Sequence, residues 1–265
     1  MRHALFLPPF DELADAALLA RLAADAEEHG WDGFFLWDHI TYREPVQALA
    51  DPWVCLAAIA QTTQRLRIGP LVTPLPRRRP TKVARETATL DRLTDGRLVL
   101  GVGIGGDRSR ELSGFGEQTD DRTRGAMLDE ALEVLAAAWS GEPVQHRGEH
   151  YVVDDARFLP TPVQRPGPPV WVAARYGHRA PLRRAARHDG VFPIELDDAG
   201  QLAEVVEQVT ALREHDRPFD IVVGGPPGTD HRPYAAAGAT WWTVSFPLTT
   251  TADMVRGVLR DGPPS

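Results

Sequence analysis

Short apolar runs alternate with longer amphipathic stretches along most of the chain. Ala4–Leu7 has the character of a strand. In Leu13–His29, the apolar residues Leu18, Leu19, Leu22, Ala23 and Ala26 recur at helical spacing, and Gly30 follows as a C-terminal stop. The same alternation predicts strands at Phe34–Trp37, Arg67–Val72 and Arg97–Ile104. Helices are predicted at Trp53–Thr63, Lys82–Leu93 and Arg124–Trp139. Asp51 is placed to cap the second helix, with Pro52 as its first residue. The rhythm pauses over Glu142–Pro169, where His146–Val153 has the pattern of a hairpin strand with Gly148 at its turn and a proline-rich stretch follows. It then resumes with strands at Val170–Ala174, Val191–Ile194, Asp220–Gly224 and Thr240–Phe246. The helices between and after them are Pro181–His188, Gln201–His215, Tyr234–Ala237 and Ala252–Leu259.

Eight strand-then-helix units in 265 residues match the arithmetic of a (β/α)8 TIM barrel, which typically takes about 250 residues. The strands are continuous apolar runs, as expected when both faces are covered. The organisation predicted is one barrel domain over 1–265, with 142–169 as an insertion between helix 4 and strand 5. A doubly wound open sheet is the alternative topology.

Composition narrows the function. A net charge of −8 argues against nucleic acid or an anionic membrane as the main partner. The single cysteine, Cys55, excludes an intramolecular disulfide and a cysteine-based zinc site. No apolar run approaches the ~20 residues of a membrane span. The segment before Pro8 is too short for a signal peptide, so a cytoplasmic protein is expected. Lys82 is the only lysine, a bias toward arginine that weakens any reading of each arginine as selected for an anion.

In a barrel of this kind the chemistry lies just past the C-terminal ends of the strands. Asp38 and His39 end the second strand, and a histidine there suits proton transfer near neutral pH. Gly101–Gly106 matches G-x-G-x-x-G, but no helix opens at its last glycine as a dinucleotide fingerprint requires. Bare backbone there instead lets a flat ligand approach. Arg175, Gly177, His178 and Arg179 lie between a strand and a helix and form a candidate phosphate subsite. Arg77, Arg78 and Arg79 read as a solvated loop or a local anion contact, and Trp241 and Trp242 as core. The nine histidines show neither HxH nor HExxH spacing, so no metal site is expected, and no G-x-S-x-G nucleophile elbow occurs either.

Two blocks, Gly33–His39 and Arg67–Gly105, resemble the luciferase-like flavin monooxygenase family. Phe115–Glu117, Gly148–Tyr151, Pro169–Ala173 and Arg184–Gly190 do so too. The resemblance implies a (β/α)8 barrel with an insertion, binding FMN or the deazaflavin coenzyme F-420 (F420) at its mouth and acting as an oxidoreductase on a small organic molecule. It implies that His39 lies by the reactive ring, that Gly103, Gly105 and Gly106 lie along the cofactor, and that Ala174–Arg179 holds its phosphate. It also implies a non-prolyl cis peptide near Pro70–Val72, which brings Pro70, Leu71, Val72 and Thr73 into the candidate site. The family's sugar-phosphate dehydrogenases carry a glutamate where this chain has Gly106, which counts against that substrate class. The deazaflavin is favoured over FMN, with Arg77–Arg79 as positive charge near its acidic tail. A nicotinamide-dependent reductase on an open sheet and a non-catalytic flavin-binding protein remain as alternatives. A homodimer is compatible with the sequence.

Overall fold

The computed structural model of the protein describes residues 1–264. The apolar runs become strands buried on both faces: Phe34, Phe35 and Leu36 are each fully buried. The parallel strands are β1 (Arg2–Leu7), β2 (Gly33–Leu36), β3 (Arg67–Pro70), β4 (Thr73–Pro74), β5 (Leu100–Gly103), β8 (Val170–Arg175), β9 (Gly190–Ile194), β10 (Asp220–Gly225) and β11 (Trp241–Ser245). Helices α1 (Ala16–Glu28), α2 (Pro52–Thr62), α3 (Pro80–Leu93), α4 (Asp121–Ser140), α5 (Arg179–Ala185), α6 (Ala199–Leu212), α7 (Arg232–Ala236) and α8 (Ala252–Asp261) alternate with them. Between α4 and β8, β6 (Val144–Arg147) and β7 (Val152–Ala156) pair antiparallel as a separate hairpin.

The strand order β3-β2-β1-β11-β10-β9-β8-β5-β4 closes on itself, because β3 and β4 are two halves of one stave. The lower half pairs with β2 and the upper half with β5. Ile68 also exchanges backbone hydrogen bonds with Arg97 and Val99 at 3.1 and 2.9 Å. The result is the eight-stave barrel expected, and the open-sheet alternative is ruled out. Ala4, Phe6, Phe35, Val99, Trp171, Phe192, Val222 and Trp241 fill its interior, and a larger apolar layer packs between staves and helices. No helix among the described residues is long and apolar enough to cross a membrane.

Two local expectations shift, and a third, the hairpin, holds. Helix α1 begins at Ala16 rather than Leu13, because the Asp15 carboxylate accepts from the backbone N–H of Ala17 and Leu18, while Leu13 belongs to a preceding 3-10 turn. The third strand does not run unbroken to Val72: it is interrupted by a cis peptide between Leu71 and Val72. The insertion is a true hairpin, its turn wrapped on the Glu130 carboxylate, which accepts from the N–H of His150 and Tyr151 at 2.9 and 2.6 Å.

Closure brings the third and fourth staves so near that side chains are excluded between them. A Cβ on Gly69 would lie 1.9 Å from the Val99 carbonyl oxygen, and one on Gly101 would lie 2.5 Å from that of Pro70. Backbone cannot yield as a flexible side chain can. Gly69→Ala is therefore expected to cost about 3 kcal/mol or more by overpacking. Gly106→Ala, in open space, should stay within about 0.5 kcal/mol. Denaturant unfolding of the two variants checks the contrast.

Candidate active site

The C-terminal ends of the staves form a mouth whose inner surface is mostly apolar. Trp37, Val72, Ala173 and Ile194 are partly buried there against the interior core. Side chains alternate along a strand. Ala173 therefore faces inward, whereas Ala174, expected at the cofactor, packs outward into the helical layer at 1% exposure. Gly103 sits between Val72 and Ala173, and a Cβ there would lie 3.0 and 3.5 Å from their side chains. Gly105 has a φ of +76°, and both it and Ile104 give their carbonyl oxygens to the buried Arg124 of α4, at 2.9 and 2.8 Å. Gly106 is exposed with nothing beside it. No α-helix follows until Asp121. The glycine run is thus a clamped loop and not a dinucleotide fingerprint.

Asp38 and His39 part company, as neighbours at a strand end must. Asp38 is 2% exposed. Its Oδ1 accepts from Arg77 and Arg78 at 2.8 and 3.0 Å. Its Oδ2 accepts from Thr73 Oγ1, Arg78 and Trp53 Nε1 at 2.7, 2.9 and 3.2 Å. Burial opposes the charge, but Arg78, Arg77 and the Thr73 hydroxyl outweigh it and hold the carboxyl below its ordinary range. Every lone pair that could reach a substrate is taken. Asp38 is therefore a structural anchor rather than a group that exchanges protons, and Thr73 is committed to it.

Of the two readings of the arginine run, a solvated loop or a local anion contact, the second holds for Arg77 and Arg78, the anions being the protein's own carboxylates. The Arg77 side chain is 4% exposed and joins two carboxylates. It donates to Asp38 and, through its other nitrogen at 2.9 Å, to Glu111 Oε1. Arg78 is held by Asp38 and lies over the Trp53 ring. Only Arg79 of the three is exposed. This leaves Arg77 and Arg78 unavailable to a cofactor tail.

Glu111 was not singled out from the sequence. It lies in the loop after β5, 4% exposed, where Asp107 Oδ1 accepts from the N–H of Leu112 and Ser113 and fixes the chain. Its Oε1 accepts from Ile40 N–H at 2.9 Å, and its Oε2 pairs with His39 Nδ1 at 2.7 Å. Burial resists its charge, but His39, the Ile40 N–H and Arg77 prevail and hold it below the usual carboxylate range. The His39 ring stands among Phe10, Trp37 and Tyr42, with centroids 6.0, 5.9 and 4.8 Å away, and its Nε2 has no hydrogen-bond partner among the described residues. It is the polar group presented beside an aromatic wall. Cys55 is buried in α2, and that burial pushes its thiol up to about 11, which leaves no thiol nucleophile.

The remaining candidates line the rim. Arg175 pairs with Glu195 at 2.9 Å, both half exposed, while Gly177, His178 and Arg179 are exposed. Pro70 and Leu71 are buried, Leu71 in the interior core, and only Val72 of that segment faces the mouth.

A sequence model described as luciferase-like monooxygenase matches residues 4–255. An F420-dependent glucose-6-phosphate dehydrogenase of Nakamurella multipartita is 36% identical over 173 residues, which is 64% of this chain and 49% of that protein. The chain thus spans about half the length of this curated relative. Among solved structures, the F420-dependent tetrahydromethanopterin reductase of Methanopyrus kandleri superposes with a TM-score of 0.79 at 16% identity, covering 98% of both chains. An F420-dependent secondary alcohol dehydrogenase gives 0.79 at 18%, covering 97% of both. A monooxygenase from Streptomyces bottropensis gives 0.75 at 22%, covering 98% of both. These structural likenesses establish the fold.

The two depressed carboxylates set an acid limit. A group whose pKa is lowered on folding adds stability above its unfolded pKa, and that stability is lost as pH falls through the folded value. Asp38 and Glu111 should thus contribute fully at pH 7 and progressively less below about pH 4, near the unfolded values. Asp38→Asn, which strands Arg78 and half of Arg77, should cost about 3 kcal/mol near neutrality. It should also flatten the loss of stability between about pH 4 and 2. Urea unfolding across this pH range measures both, and an unchanged acid slope in the variant contradicts the assignment.

Proposed function

The chain belongs to the luciferase-like monooxygenase family, and from that premise we propose that it is an oxidoreductase using coenzyme F420 at the barrel mouth on a small organic substrate. The observation that carries the reading is His39: Nδ1 is anchored by a buried carboxylate, while Nε2 has no partner and stands beside an aromatic wall. A purely flavin-storing protein has no need of such a group.

The residues present fit a flat tricyclic ring. Val72, Gly103 and Ala173 form an apolar floor to which Gly103 adds no side chain, and the Gly106 backbone, with open space beside it, is bare toward a ligand. When bound, F420 supplies a ring carbon that takes or gives a hydride. Arg179 and Arg175, with the Gly177 backbone, would hold its phosphate. The Arg175–Glu195 pair is exposed, and such pairs are worth only about 0–1 kcal/mol, so an anion can displace it. His39 Nε2 would take the substrate's proton on oxidation and return it in the reverse direction. Gly106 offers no carboxylate, which points away from sugar phosphates.

Titration of the purified protein with F420 and with FMN, followed by quenching of tryptophan fluorescence, tests the cofactor. Saturable F420 binding is expected, whereas tight FMN binding with no affinity for F420 would reverse the choice. Arg179→Ala should weaken F420 about 10–100-fold, the worth of one charge-assisted hydrogen bond, and leave riboflavin, which lacks the phosphate, unaffected. With alcohols and other small substrates screened by the loss of F420 absorbance, His39→Ala should lower turnover about 10²–10⁴-fold with little change in cofactor affinity.

A further inference from the structure

We infer that Glu111 is a positioning residue whose two oxygens, by having different partners, hold His39 in its Nδ1–H tautomer and leave the Nε2 lone pair at the barrel mouth. The inference rests on the reading of His39 as the group that exchanges protons, and it adds which ring nitrogen does so and what decides it.

An ionised carboxylate only accepts hydrogen bonds. Glu111 Oε1 is engaged by two donors whose protons cannot be withdrawn, the Ile40 N–H and the Arg77 guanidinium, both at 2.9 Å. Oε2 is left to His39 Nδ1 at 2.7 Å. At that distance two lone pairs repel, so Nδ1 must carry a proton. In the neutral ring the other nitrogen then has the lone pair. The carboxylate cannot turn away to release the ring, because Arg77 is itself tied to the buried Asp38. The ring is also hemmed by Phe10, Trp37 and Tyr42.

The asymmetry makes Glu111→Gln a specific probe. The amide oxygen will take the Oε1 position, because Arg77 and Ile40 present only donors there. The amide nitrogen then faces His39 Nδ1 and can only donate to it. The ring must place its proton on Nε2, turning a proton acceptor at the mouth into a donor without moving a heavy atom. Glu111→Asp, shorter but still acceptor-only, retains the original demand.

The test is nitrogen NMR of protein labelled with 15N-histidine, at a pH where the ring is neutral, with the His39 signals identified by their loss in His39→Gln. Wild type and Glu111→Asp should show the Nδ1–H pattern, and Glu111→Gln the Nε2–H pattern with unchanged near-ultraviolet circular dichroism. F420 affinity in Glu111→Gln should stay within about threefold, while turnover falls about 10²–10⁴-fold, as expected when a base is held in the wrong tautomer. An Nε2–H pattern in wild type, or an Nδ1–H pattern retained in Glu111→Gln, overturns the inference. Should Glu111→Gln not fold, the wild-type pattern still decides. Full turnover in His39→Ala would instead sink the reading of His39 and leave the tautomer result standing.

Discussion

A carboxylate buried at the end of β2 must be given positive charge, and the upper half of the molecule is arranged around that requirement. An ion taken out of water costs several kcal/mol unless its partners are well placed. Asp38 obtains them from Arg77 and Arg78 on the loop that follows the third stave. Once Arg77 is drawn in, its second nitrogen is also buried and needs an acceptor, which Glu111 provides from the loop after the fourth stave. Glu111 in turn has one oxygen to spare, and His39 takes it. Three consecutive stave ends are thus tied through Asp38, Arg77 and Glu111, whose charges alternate, and the His39 imidazole is hydrogen-bonded at the end of that line.

The rest of the mouth is the complement of that line. Where the charges end, the surface is aromatic and aliphatic, so one ring nitrogen is set against a bed that offers a ligand little other polarity. The glycines of the third and fourth staves let the two backbones meet closely enough to close the barrel. Gly103 then carries the same bareness up to the rim.

The barrel was legible because each strand is an apolar run and most helices carry their own caps; the Asp51 carboxylate, for example, accepts from Val54 N–H as its position implied. His39 stands out as a candidate because a strand end and an imidazole together restrict what a residue can do. Other features were not legible, for physical reasons. Three arginines in a row read as a solvated loop or an anion contact, and the sequence does not show which acids, 39 and 34 residues away from Arg77, will be buried against it. Glu111 sits in a polar loop with no period to set it apart. Ala174 was a candidate for the cofactor, yet the alternation of the strand turns it outward and Ala173 toward the mouth, a distinction that only the register resolves.

A crystal structure of the protein soaked with F420 tests the account most directly. The ring is expected over Val72, Gly103 and Ala173, with the His39 imidazole beside its reactive edge and the Glu111–His39 bond intact. A cofactor bound away from the mouth, or a His39 ring turned from it to leave Glu111 unpaired, would contradict it.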